Sequence, residues 1–217
     1  MKLHKNGNKP YSGANNYLLH QFFSPHANRR DDQWGGSLAK RMAFPLAVVD
    51  AVKQTAIKYA DPSFVIGYRF SPEETDSPGF SMADSLELVD ALASRELDYI
   101  HVSLMDFWPK ARSGHGLNRP KIELIMEKAA GRVPVMGVGS IRTAEEARKA
   151  IETGIPLLAL GRELIVEPDW VKKIEEGNED NLATTVKNDV AEQERLVILD
   201  PMWNVIMNSA PGWIPVV

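Results

Sequence analysis

Apolar residues recur along this chain at two different spacings. Short stretches at 64–70, 99–104, 133–138 and 157–160 are apolar on both faces and rich in β-branched and aromatic residues, whereas the longer stretches between them place apolar residues three and four positions apart. The first pattern is that of parallel strands covered by helices, the second that of the covering helices. Their alternation predicts an α/β fold built from βα units around a parallel sheet.

The helical stretches carry their own punctuation. A first helix is expected over 37–59, with Leu38, Met42, Val49, Val52 and Ala56 on one buried stripe. Pro45 falls inside it and, because an interior proline costs ~3 kcal/mol, predicts a kink or a restart. A second helix follows Ser81, whose hydroxyl can cap it, and turns Met82, Leu86, Val89 and Ala93 inward. A third starts near Pro120 and buries Ile122, Ile125, Met126 and Ala129. The fourth opens on the capping box Thr143-Ala-Glu-Glu146 and directs Ala147, Ala150 and Ile151 to the core. Asp169 is placed to cap a short fifth helix carrying Trp170 and Ile174.

This succession fits the second half of a (βα)8 barrel, in which functional loops lie at the C-terminal ends of the strands. Complete barrels run to ~250 residues or more, and this chain has 217. Periodicity alone leaves a doubly wound open sheet as an alternative.

Composition narrows the class without naming a reaction. With 44% hydrophobic and 25% charged residues the chain reads as one ordinary globular domain. A formal net charge of -4 and the lack of a dense Lys/Arg run argue against nucleic acid and membrane surfaces as partners. The absence of cysteine excludes disulfides, thiolate-bound zinc and a cysteine-held iron-sulfur cluster from this sequence. No signal-like apolar stretch opens the sequence and none approaches the ~20 residues of a membrane span, so a cytoplasmic, unexported protein is expected.

Candidate chemistry concentrates at strand ends. Asn15 and Tyr17 stand two positions apart in a turn ahead of an aromatic segment and a Gly35-Gly36-Ser37 helix start. An amide and a phenol so placed can bind a carbonyl oxygen and donate a proton beside it. The twelve residues before Gly13 do not read as the strand that such a turn should follow. Gly137-Val-Gly139-Ser140 ends one predicted strand and Gly161-Arg162 follows the next, giving backbone N–H groups unobstructed access to a phosphate. Barrels habitually bind phosphate beyond their last two strands. Such turns alone would also permit an isomerase or aldolase, but no predicted strand ends in the lysine an aldolase needs.

Other polar and aromatic groups are better explained without chemistry. His20, His26, His101 and His115 share no metal-ligand spacing, so no metal site is expected. Asp31 and Asp32 beside Arg29 and Arg30 read as a solvated ionic cluster anchoring the loop before Gly35-Gly36. Phe22, Phe23 and Trp34 read as packing residues, and 105–112, with Phe107 and Trp108, as a loop over the barrel mouth.

The segment Y-L-L-H-Q-F-F-S-P-H-A-N-R-R-D-D-Q-W-G-G-S-L-A-K-R-M-A-F-P resembles the signature that follows the fourth strand in the old yellow enzyme family of NAD(P)H:flavin oxidoreductases. Three later segments agree in order and spacing: V-I-G-Y-R-F-S-P at 65–72, V-P-V-M-G-V-G-S-I at 133–141 and A-L-G-R-E-L-I-V-E-P-D-W at 159–170. The resemblance covers about residues 13–174 and leaves 1–12 unmatched. It implies a partial TIM barrel, strands 5 to 8 with their helices, with 13–217 as the C-terminal half of the domain and the first half absent.

It also implies FMN as cofactor, NADH or NADPH as reductant and an activated alkene as the small-molecule substrate. By the same resemblance Asn15 is a carbonyl donor and Tyr17 the acid that protonates the α-carbon. Arg69 lies beside the N1 and C2-oxygen edge of the flavin, Gly137 belongs to the cofactor-binding turn, and Gly139, Ser140, Gly161 and Arg162 serve the FMN phosphate. Ser12 stands where the family carries a histidine, a shorter donor. Lack of cysteine matches the short, FMN-only kind. A half barrel would leave its strands at 64–70 and 157–160 unpaired, which predicts a homo-oligomer, a complementing N-terminal half, or a poorly stable truncated product. A catalytically silent fragment that keeps the fold is the competing functional reading.

Overall fold

The computed structural model describes residues 11–112, 118–209 and 213–217. His115 lies outside them. The chain divides into two compact units, one of residues up to 139 together with 150–159, the other of 140–149 and 160–217.

The first unit is a parallel sheet with its helices. Its strands are β1 (Tyr11–Gly13), β2 (Gly67–Phe70), β3 (Tyr99–Val102), β4 (Val135–Val138) and β5 (Leu157–Ala159), in the spatial order β1-β2-β3-β4-β5 with every pairing parallel. Strand order that follows chain order without reversal is the arc of a barrel; a doubly wound sheet would reverse at a switch point. The alternative left open by periodicity falls on this observation.

The helices of this unit are α1 (Leu18–Phe23), α2 (Leu38–Tyr59), α3 (Met82–Ala93) and α4 (Lys121–Ala129), with α5 (Ala144–Glu152) running from one unit into the other. Ser37 and Ser81 cap α2 and α3 through their hydroxyls, and Ser81 with Asp84 completes a capping box. Thr143 and Glu146 exchange the reciprocal bonds of the expected box at 3.1 Å each.

The two faces of the sheet differ. Tyr68, Phe70, Ile100, Val102 and Val135 are buried, on the face the helices cover. Register places Ser12, Arg69, His101, Met136 and Leu157 in one row across the other face. That row runs from half-buried to exposed.

Several expectations are corrected. The sheet does not begin at 64–70, because β1 pairs with β2 in the register Tyr11 to Tyr68, Ser12 to Arg69 and Gly13 to Phe70. β1 also crosses the expected boundary between residues 12 and 13. The helix over Pro45 is not restarted: α2 runs through it, with Pro45 buried. Ile151 is 58% exposed rather than inward. Asp169 occupies the N-cap position of its helix without a side-chain cap bond.

The second unit is helical. It comprises α6 (Arg162–Val166), α7 (Trp170–Glu175), a 3-10 turn (Glu179–Asn181), α8 (Val190–Leu196), α9 (Asp200–Asn204) and a π turn (Val205–Ser209). Val166, Val186, Leu196, Ile206 and Ile214 form its core, with Trp203 and Trp213 packed against them. The C-terminal residues are tied back by Val186 and Val217, each donating an N–H to the other segment. Glu167, buried, accepts from Lys173 Nζ at 2.5 Å and from the Ala183 N–H at 3.2 Å. Burial acts upward on its carboxyl and is the largest single influence, but Lys173 and the backbone donors together hold it below its ordinary range.

Candidate active site

Parallel strands put their C-terminal ends on one side, and the turn after β1 begins there. Gly13 is required by its neighbour, since a Cβ would come within 2.2 Å of the Tyr68 hydroxyl. The reversal that follows is made by Asn15 and Asn16, both left-handed, with φ of 54° and 60°. Asparagine tolerates that region better than most residues. Tyr17 then sits at the N-cap of α1 and is 65% exposed.

Asn15 is held by the two neighbouring strand ends. Its N–H donates to Ser71 Oγ, just beyond β2, at 3.1 Å. Its Oδ1 accepts from Ser103 Oγ, just beyond β3, at 3.2 Å, and from Ser71 Oγ at a long 3.5 Å. Arg69 Nη2 donates to Ser103 Oγ at 2.8 Å. Arg69, Ser103 and Asn15 therefore form one hydrogen-bonded chain. Sequence reasoning named its two ends and missed the serines; the available signal was their position at the ends of predicted strands.

Three polar atoms along the half-covered sheet face are buried and lack a partner: Ser12 Oγ, Arg69 Nε and His101 Nε2. Buried polar atoms without a partner in the protein are uncommon, and a bound group or water can supply one. An arginine Nε can only donate, so an acceptor edge fits it, as the flavin pyrimidine edge would. Burial, with the Arg69 guanidinium as the lesser contribution, pushes the His101 imidazole down to about 4. It is neutral at pH 7 and adds no second cation beside Arg69.

Two adjacent carboxylates hold the loop after β2. Glu74 accepts from Ser24 Oγ at 2.8 Å and the Phe80 N–H at 3.2 Å, and pairs with His20 Nε2 at 3.0 Å. Glu73 pairs with Lys121 at 2.6 Å, both side chains nearly fully buried, and accepts from the Arg112 N–H. The loop between α1 and α2 is held by Asn28, which donates to the Phe22 and Trp34 carbonyls at 2.7 Å each, and by Arg41, which donates to the Phe23 carbonyl at 3.0 Å. Of the expected ionic cluster, Arg30 and Asp32 form an exposed ion pair while Arg29 donates to the His26 carbonyl at 2.9 Å, and Asp32 accepts from the Trp34 N–H at 3.0 Å. Phe22 stacks on Phe44 at 3.9 Å between centroids, consistent with packing.

The glycines expected at a phosphate differ in surroundings. In the first unit, a Cβ on Gly137 would meet Ile155 and Phe107 at 2.6 Å, and one on Gly139, whose φ is 146°, would meet the backbone of Asp106 at 2.4 Å. Both glycines thus admit the loop after β3, whose Phe107 is fully buried while Met105 is 93% exposed. In the second unit, Arg162 Nη2 donates to Ser140 Oγ at 2.9 Å, and Gly161 faces open space.

A family model described as NADH:flavin oxidoreductase / NADH oxidase matches residues 11–181. The chain is 47% identical over 203 residues, 94% of its length, to a probable NADH-dependent flavin oxidoreductase of Bacillus subtilis, of which it spans 54%. It is 40% identical over 197 residues, 89% of its length, to an NADH:acrylate oxidoreductase of Vibrio harveyi, of which it spans 19%. Among solved structures, morphinone reductase matches with a TM-score of 0.59 at 27% identity, over 84% of this chain and 46% of that one. Histamine dehydrogenase from Rhizobium sp. 4-9 matches with a TM-score of 0.64 at 26% identity, over 80% of this chain and 25% of that one. The chain therefore spans about half or less of each, and its parallel α/β sheet is similar to a portion of the old yellow enzyme-like TIM barrels.

Proposed function

Because the chain belongs to the NADH:flavin oxidoreductase / NADH oxidase family, we propose that it is the C-terminal half of an FMN-dependent ene-reductase, with β2 to β5 as strands 5 to 8 of the barrel, together with their helices, and β1, which crosses residue 13, as the strand before them. Bound FMN would supply the hydride relay from NADH or NADPH to the β-carbon of an activated alkene. The observation that carries this reading is Arg69 on the half-covered sheet face, its Nη2 committed to Ser103 and its buried Nε without a partner.

In this reading Arg69 binds the N1 and C2-oxygen edge of the ring. Asn15 donates to the substrate carbonyl, where negative charge grows as hydride arrives, and Tyr17 protonates the α-carbon. The exposed phenol of Tyr17 is accessible to a substrate. Gly139, Ser140, Gly161 and Arg162 take the phosphate role by family resemblance, with Gly137 in the same cofactor-binding turn. The half-covered face of Ser12, Arg69 and His101 supports a further element of the reading, that a complementing N-terminal half or a second copy covers it. The cysteine-free sequence is compatible with a cytoplasmic setting.

The test is flavin retention. Purified chain is incubated with FMN, desalted and examined by visible absorbance, alone and after coexpression with the first half of a relative, and then bleached anaerobically with NADH or NADPH. Retained colour that bleaches supports the reading. A protein colourless under both conditions rejects it.

A further inference from the structure

An asparagine can bind a carbonyl oxygen only through Nδ2, so its use as a donor depends on which end of the amide is held by the protein. At Asn15 the surrounding hydroxyls decide this. Arg69 has no acceptor, so its contact with Ser103 Oγ at 2.8 Å occupies a lone pair of that oxygen and leaves the Ser103 proton to be given elsewhere. The acceptor the structure shows for it is Asn15 Oδ1 at 3.2 Å. Ser71 is in the same condition: its oxygen accepts the Asn15 N–H at 3.1 Å, and its proton faces Asn15 Oδ1 at 3.5 Å. Two hydroxyl protons thus converge on one amide oxygen. Turning the amide over would deprive both of that acceptor.

We propose that Ser103 is a positioning residue that sets the polarity of the Asn15 amide, holding Oδ1 against the protein and leaving Nδ2 as the end offered to the substrate carbonyl. The inference rests on the donor role proposed above for Asn15. Charge adds to orientation: the Arg69 guanidinium polarises the Ser103 hydroxyl, which draws electron density toward Oδ1 and makes the Nδ2 protons stronger donors. The arginine assigned to the cofactor edge and the amide assigned to the substrate are thereby joined through one hydroxyl. This matters more here because Ser12 supplies a shorter donor than histidine, leaving more of the oxyanion stabilisation to Asn15.

The experiment reads the amide directly. Asparagine side chains are labelled with 15N in the full chain, and the Asn15 NH2 pair is identified by its loss in Asn15→Asp. Loss of a bond to the amide oxygen weakens the partial double bond between carbon and nitrogen, so Ser103→Ala should shift this pair and speed exchange between its two protons. Ser103→Thr, which keeps the hydroxyl, should restore both, and Ser103→Cys, nearly the same size but a weak donor, should behave as Ala. An Asn15 pair unmoved in both Ala and Cys, or unrestored in Thr while the backbone spectrum is native, overturns the proposal. In flavin-loaded protein Ser103→Ala should also slow alkene reduction on the order of 10-fold relative to flavin reduction by the nicotinamide. Failure to hold FMN both alone and with the complementing half rejects the flavin reading, while the amide resonances still decide the role of Ser103.

Discussion

Ser12 and Arg69 are register partners across β1 and β2, and each carries a buried polar atom, Oγ and Nε, without a hydrogen bond. The residue standing where a histidine would be expected is thus beside the arginine assigned to the flavin. Ser12→His would add a longer donor on this half-covered face. Alkene turnover of flavin-loaded protein is expected to rise on the order of 10-fold or more, with nicotinamide-driven flavin reduction unchanged. Stopped-flow measurement of the two half-reactions checks this, and equal changes in both would reject an oxyanion role at the position.

His101 makes stability depend on pH. Its pKa falls from 6.5 to about 4 on folding, so between those values the unfolded chain binds a proton that the folded chain refuses. Stability is therefore lost as pH falls from 6.5 toward 4, and this contribution is constant above that window. Urea midpoints at pH 7 and pH 5 should differ more for the native chain than for His101→Gln.

The glycines separate packing from phosphate binding. Gly139→Ala meets the Asp106 backbone at a φ of 146° and should cost about 3 kcal/mol in denaturant unfolding. Gly161→Ala meets open space at a φ of -116° and should stay within about 0.5 kcal/mol. If Gly161 serves the FMN phosphate, the same variant should weaken FMN binding measured by fluorescence quenching.

Glu73 and Lys121 form a buried pair at 2.6 Å. Lys121→Met leaves the carboxylate uncompensated and should destabilise by about 3 kcal/mol, whereas Glu73→Gln combined with Lys121→Met should recover a good part of it. Urea unfolding of the single and double variants measures the coupling. Additive losses would mean the two charges are not paired in solution.

Much of the architecture was legible because periodicity is local. The apolar runs at 99–104 and 133–138 contain β3 and β4, and the Ser81 and Thr143 caps lie where their hydroxyls can reach the first turns. Helix ends of low apolar content were less legible. Ile151 follows the buried Ala147 and Ala150 in sequence, yet is exposed, because a stripe's edge depends on the neighbouring element.

The residue types and spacing of Asn15, Tyr17, Arg69 and the Gly137 to Ser140 turn were in the sequence itself, as was the family they resemble, since a long motif needs no fold to be recognised. Tertiary structure alone decided the rest. β1 has three residues, too few to show any alternation, and is a strand because Tyr68, Arg69 and Phe70 offer it a ladder. Ser71 and Ser103 acquire meaning for the same reason: they are 56 and 88 residues from Asn15 along the chain, and only the parallel pairing of β1, β2 and β3 brings their hydroxyls to one amide.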